Sequence, residues 1–200
     1  MTPRYVLLAL FLIGGVLVTH PAWAAVPTEI QILTTQCHQG NAEGCTQLGR
    51  MYGSGQGVTQ DDFHAADLYR KGCEGGDMRG CAILGYVHSI GRGVAQDFLQ
   101  AMDFHHKACN GGDAVGCFFL GGMYGLGQGV AQDFSQAADY YRQACDGMDA
   151  DGCFFLGVLS EDGRGVKQSE TDALTYYGKA CDLHNKDGCE FYARLEQTGK

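Results

Sequence analysis

Basic residues are scarce in this chain. Its 14 Lys and Arg stand against 23 Asp and Glu, for a formal net charge of −9, and no basic footprint is present to follow a phosphate backbone, so nucleic acid is excluded as a partner. The acidic balance reads as a solvated, soluble face. Closely spaced Cys-x2-Cys pairs are also missing, which removes the usual zinc signature. Only His105 and His106 are adjacent histidines. Neighbours on a helix point about 100° apart and do not face one ion. The sequence implies no metal.

Long apolar runs are equally few. The N-terminus "MTPRYVLLALFLIGGVLVTHPAWAA" carries Arg4, an apolar run from Tyr5 to Val18 and the small-x-small site Ala22-Trp23-Ala24, the pattern of a cleavable Sec signal peptide over residues 1–24. The run is too short to favour a membrane span, and no cysteine follows the cleavage site to carry a lipid. The mature chain is expected to begin near Ala25 and to reach the periplasm or the medium, with no membrane span after cleavage. Its length suits one elongated domain.

What the chain has in abundance is cysteine, and it is ordered. All ten cysteines form pairs eight positions apart: Cys37 and Cys45, Cys73 and Cys81, Cys109 and Cys117, Cys145 and Cys153, Cys181 and Cys189. Each pair begins 36 residues after the last, a fixed period that marks an array whose units bury their apolar faces against their neighbours. In one continuous helix each pair would lie roughly 12 Å apart, too far for a disulfide. The residues between them reverse the chain instead. Asn41, Asp77, Asp113, Asp149 and Asn185 each precede an apolar run with helical spacing and suit helix N-caps. Gly75, Gly76, Gly111 and Gly112 suit a left-handed end to the preceding helix. One cysteine then closes a helix and its partner opens the next, so each pair can bond. In an exported chain disulfides persist. Each nine-residue closure contributes about 2.6 kcal/mol by chain entropy.

Within each unit Leu48, Leu84, Leu120 and Leu156 are followed by Gly49, Gly85, Gly121 and Gly157. A glycine inside a helix costs about 1 kcal/mol against alanine, so its recurrence predicts close approach of another backbone. The stretches "GSGQGVTQD", "IGRGVAQD", "GLGQGVAQD" and "DGRGVKQS" follow. They come after a helix and recur, so they read as helix ends and turns, and not as phosphate cradles. Asp61, Asp97, Asp133 and Ser169 cap a second helix. Ala65, Ala101, Ala137 and Ala173, with Tyr69, Phe104, Tyr140 and Tyr176, mark its packed face. The unit is helix, loop, helix. His64 and His88 read as surface or packing residues.

The Leu-Gly-x-x-Tyr pattern in "QLGRMYGSGQGVTQDDFHAADLYRKG" and its copies resembles the Sel-one-like repeat, a relative of the tetratricopeptide unit. The 36-residue period with a cysteine pair in every unit resembles the secreted Helicobacter cysteine-rich protein branch. The resemblance implies an all-α, right-handed α/α solenoid stapled by disulfides. Its expected parts are a capping helix at 25–40, four units at 41–76, 77–112, 113–148 and 149–184, and a C-terminal capping helix at 185–200. The resemblance also implies a concave face lined by first helices, a scaffold for protein or peptide partners and, as an alternative, a penicillin-binding protein or β-lactamase that takes β-lactams or peptidoglycan fragments.

The residues do not supply that chemistry. A serine β-lactamase needs Ser-x-x-Lys, Ser-Asp-Asn and Lys-Thr-Gly, and none occurs in this sequence. No catalytic residue and no cofactor site emerges. The informative positions are those of the first helices that vary from unit to unit: Glu43, Thr46, Gln47 and Arg50; Arg79, Ala82, Ile83 and Tyr86; Val115, Phe118, Phe119 and Gly122; Asp151, Phe154, Phe155 and Val158. They run from polar to aromatic along the expected groove, and a peptide with one apolar end suits them. Arg50, Arg79, Tyr86, Phe118, Phe154 and Val158 are the expected contact residues, with Phe119 and Phe155 assigned to the core.

Overall fold

A computed structural model describes residues 28–198, and the expected signal peptide lies outside them. The described residues form ten α-helices and no strand: α1 (Glu29–His38), α2 (Ala42–Ser54), α3 (Asp62–Glu74), α4 (Met78–Ile90), α5 (Phe98–Asn110), α6 (Ala114–Leu126), α7 (Phe134–Asp146), α8 (Ala150–Asp162), α9 (Glu170–Asp182) and α10 (Lys186–Thr198). Each helix packs on its chain neighbours, and the even-numbered helices also touch in series, α2 on α4, α4 on α6 and α6 on α8. The even-numbered helices therefore form the inner row of an α/α solenoid, with the odd-numbered ones outside.

Local chemistry explains where each helix starts. Thr28 caps α1 in a capping box with Gln31. The side chains of Asn41, Asp77, Asp113 and Asp149 accept from first-turn amides of the inner helices, and Asn185 does so for Gly188 at 2.6 Å. Asp61, Asp97, Asp133 and Ser169 do the same for the outer helices. Each cap satisfies an amide that the helix itself leaves unpaired.

Five disulfides cross the reversals: Cys37–Cys45, Cys73–Cys81, Cys109–Cys117, Cys145–Cys153 and Cys181–Cys189, with Cα separations of 4.4 to 4.6 Å. Each ties an outer helix to the inner helix that follows it, so the staples join one unit to the next. The left-handed residue in these turns is the second of the glycine pair. Gly75 and Gly111 keep negative φ, whereas Gly76 and Gly112 take φ of 97° and 89°. In the last two reversals the same place is held by Met148 and His184, at 66° and 68°.

The buried layer recurs with the period. Leu84, Leu120 and Leu156 are fully buried, as are Ala101, Ala137 and Ala173. The glycine after each leucine has a different partner from the one expected. A Cβ on Gly49, Gly85, Gly121 or Gly157 would run into the ring of Tyr69, His105, Tyr141 or Tyr177 at 2.6 to 2.8 Å. These glycines are sockets for a ring of the outer helix. Close backbone approach occurs instead at the first-turn glycines such as Gly116, where a Cβ would lie 2.8 Å from the Cys109 amide nitrogen. The socket also sets the register of the outer face: the buried rings are Tyr69, His105, Tyr141 and Tyr177, while Phe104, Tyr140 and Tyr176 are half-buried.

Candidate functional site: the inner face

The varying positions of the inner helices divide by depth. At the ninth place after each leading cysteine the side chain turns inward: Thr46 and Ala82 are buried, and Phe118 and Phe154 are half-buried. Phe118 belongs to the packing of α6 against α7 and α8. Phe154 packs against Tyr177 and Phe191 with ring centroids at 5.7 and 5.2 Å. The tenth place turns outward, and there Phe155 is 40 % exposed. Phe155 was expected in the core and Phe154 in the groove, and their depths reverse that order. Tyr86 is 41 % exposed, Val158 is half-buried beside Tyr177 and Leu195, and Arg50 and Arg79 are exposed.

These rings touch in sequence along the inner row. Tyr86 meets Phe119 at 5.4 Å, Phe119 meets Phe118 at 5.4 Å, Phe118 meets Phe155 at 6.0 Å, and Phe155 meets Phe154 at 5.4 Å. Such offset and tilted pairs add about 0.5–1.5 kcal/mol each beyond area burial and hold the rings in place. The aromatic track thus starts on α4 and runs to α10, and the end of the inner face on α2 is polar.

Cavities open along this face, and three of them bear on the site. One of about 370 Å³ lies between α2 and α4, lined by Glu43, Thr46, Gln47, Arg50, Asp77 and Arg79. A second, also about 370 Å³, borders Arg50, Ser54, Asp62, Tyr69 and Arg92. The third, about 260 Å³, repeats the second two units on with an apolar lining of Leu126, Phe134, Tyr141, Phe155 and Val158. Burial in this last wall pushes the Tyr141 hydroxyl up to about 12, so it stays protonated. Among the described residues no three His, Cys, Asp or Glu side chains come together as a metal site.

The second unit differs from the others at two buried places. His105 fills the socket that holds tyrosine elsewhere; it is 1 % exposed, stacks on Phe119 at 4.8 Å, and its Nδ1 has no hydrogen-bond partner among the described residues. Burial, with His106 adding to it, pushes its pKa down to about 4. His88 stands where the first and third units carry Tyr52 and Tyr124 and stacks on Phe104. Neither ring nitrogen has a hydrogen-bond partner among the described residues, and burial lowers its pKa too. Sequence reasoning missed this pair, whose one signal is the loss of tyrosine at aligned positions.

The family profile of the Sel1 repeat matches residues 42–77, 79–113, 114–147 and 150–185. No curated protein matches the chain at a significant level. Among solved structures, a Sel1 repeat protein from Oxalobacter formigenes is 28 % identical with a TM-score of 0.76, over 80 % of this chain and 65 % of that one. A protective antigen of uropathogenic Escherichia coli with an SLR fold is 28 % identical with a TM-score of 0.75, over 83 % of this chain and 36 % of that one. The chain therefore spans less than two thirds of either protein. Cysteine-rich protein B of Helicobacter pylori is 34 % identical with a TM-score of 0.55, over 67 % of this chain and 97 % of that one. With four repeats matched in a helical solenoid, the chain belongs to the Sel1 repeat family.

Proposed function

We propose that this protein is an exported, disulfide-stapled scaffold that binds a protein or peptide along the inner face of its solenoid. The observation that carries the reading is the aromatic track, exposed at Tyr86 and Phe155. Residues required by the repeat recur every 36 places, but Tyr86 is replaced by Arg50, Gly122 and Val158 in the other units, and Phe155 by Gln47 and Ile83 in the first two. Rings that the frame does not need, held by their neighbours and open to solvent, suit a recognition surface, where aromatic anchors supply much of the binding energy. Export is supported by the signal-like N-terminus and by ten cysteines with none left free, an arrangement that oxidising compartments favour.

The test is capture of exported proteins from the producing cell on immobilised oxidised protein, in parallel with a Tyr86→Ala/Phe155→Ala variant. Both side chains are partly exposed, so the variant is expected to keep its helical circular dichroism and to lose its partner. Capture that is unchanged by the double substitution contradicts the assignment of the inner face. Turnover of a chromogenic cephalosporin by purified protein above a mock preparation would replace the scaffold reading with hydrolysis.

A further inference from the structure

The polar end of the inner face has a chemistry of its own, and its reading rests on the scaffold function proposed above. Seven arginines lie among the described residues. Five hold carboxylates: Arg70 with Asp67, Arg92 with Asp62, Arg142 with Asp139, Arg164 with Asp162 and Arg194 with Glu161. Among the described residues Arg50 and Arg79 form no ion pair, and both line the cavity between α2 and α4. In a protein with nine more acidic than basic residues, two unpaired guanidiniums at one cavity are not explained by the fold.

The carboxylates of the same cavity are already engaged. Asp77 accepts the Arg79 amide as the N-cap of α4, at 3.2 Å. Glu43 accepts from the Gln47 side chain at 2.9 Å and sits in the first turn of α2. Both negative charges thus face helix N-termini, where the backbone dipole stabilises them. The guanidiniums have no such partner among the described residues. Nor are they repeat residues: Arg50 aligns with Tyr86, Gly122 and Val158, and Arg79 with Glu43, Val115 and Asp151. No other unit could build this pair.

We infer that the cavity between α2 and α4 seats side-chain carboxylates of an acidic polypeptide segment on Arg50 and Arg79, while an apolar part of the same segment lies on the track that begins at Tyr86. Charge complementarity selects this occupant. A guanidinium fork matches a carboxylate through two parallel hydrogen bonds, and such charge-assisted pairs are stronger than neutral ones. The order along the solenoid, cationic at α2 and α4 and aromatic from α4 to α10, fixes the order of chemistry in the segment.

The probes are end-blocked, fluorescently labelled peptides with glutamates at one end and phenylalanines at the other, made in both chain directions, with matched versions carrying glutamine for glutamate. Fluorescence anisotropy with the oxidised protein is expected to show binding of a glutamate peptide. That binding should weaken about tenfold or more in the glutamine version, in added salt and in an Arg50→Gln/Arg79→Gln variant. An Arg70→Gln/Arg142→Gln variant on the outer helices should leave it unchanged. Equal affinity for glutamate and glutamine peptides, lost with Phe155→Ala, overturns the carboxylate seat and keeps the groove. No binding of any peptide overturns both. Binding that appears only when the terminal carboxylate is left free moves the seat's ligand from side chains to a chain end and overturns the inference as stated. Melting curves check that the arginine variants stay folded, as their exposed and unpaired side chains predict.

Discussion

The first and third units build one cavity twice, on the same four residue types and with different ones around them. Gly53, Gln60, Ala65 and Tyr69 of the first correspond to Gly125, Gln132, Ala137 and Tyr141 of the third, and both sets line the same place. Around them Ser54, Asp62 and Val87 become Leu126, Phe134 and Leu159. The arginine supplied by the next unit follows the change: Arg92 pairs with Asp62 at 2.9 Å, whereas Arg164 lies over the Phe134 ring at 5.1 Å. The frame of glycine, alanine, tyrosine and cystine fixes the backbone, and that leaves the remaining positions free to differ. Those differences are where recognition should be sought, and each can be pressed by experiment.

The largest expected effect comes from the second unit, where His105 fills the tyrosine socket. Its folded pKa of about 4 lies below the ordinary value of 6.5, so between these values the unfolded chain binds the extra proton. The His105 contribution is complete above about pH 6.5 and falls away through the window down to pH 4, by about 3 kcal/mol. His105→Tyr should restore the socket residue of the other units and flatten this part of the acid profile in urea unfolding. An unchanged acid slope in that variant would show that the slope does not come from His105.

Next is the depth of the two rings on α8. Phe154, packed on Tyr177 and Phe191, should cost about 2 kcal/mol when cut to alanine, and Phe155, 40 % exposed, less than about 1 kcal/mol. Equal losses in thermal unfolding would erase the distinction between a packed and a presented ring.

A smaller gain is expected at the reversal after α7. Met148 holds φ of 66° where Gly76 and Gly112 stand in earlier turns, and its side chain is 70 % exposed. A left-handed residue with a Cβ costs about 1–2 kcal/mol, so Met148→Gly should stabilise by about 1 kcal/mol, offset in part by the greater freedom of the unfolded chain. A fall in melting temperature would mean that the exposed methionine contributes packing. Smallest of all is the surface pair Arg92–Asp62: Arg92→Gln should lower the melting temperature slightly at low salt and not at high salt, as exposed ion pairs do.

The strict period, the caps and the cysteine spacing made the helix pairs and their order legible in the sequence, because each rests on local chemistry that repeats. Which ring of a Phe-Phe pair faces the groove was not legible. Adjacent residues on a helix differ by about 100°, and only the position of the next unit decides which is covered. The glycine sockets escaped for a similar reason: the atom that fills each one comes from another helix, 20 residues further along the chain. His105 looked like half of an adjacent histidine pair, and its burial follows only when it is aligned with Tyr69, Tyr141 and Tyr177. Arg50 and Arg79 were visible as groove residues, but that no carboxylate among the described residues pairs with them shows only in the folded chain.

The claim that the inner face is the recognition surface is tested most directly by site-resolved cross-linking. A photoreactive phenylalanine analogue is placed at Phe155 on α8 or at Leu99 on α5, which is 65 % exposed on an outer helix, and oxidised protein is irradiated with the exported proteins of the producing cell. The account predicts a discrete polypeptide adduct from position 155 and none from position 99. Adducts from position 99 alone would place recognition on the outer helices and contradict it.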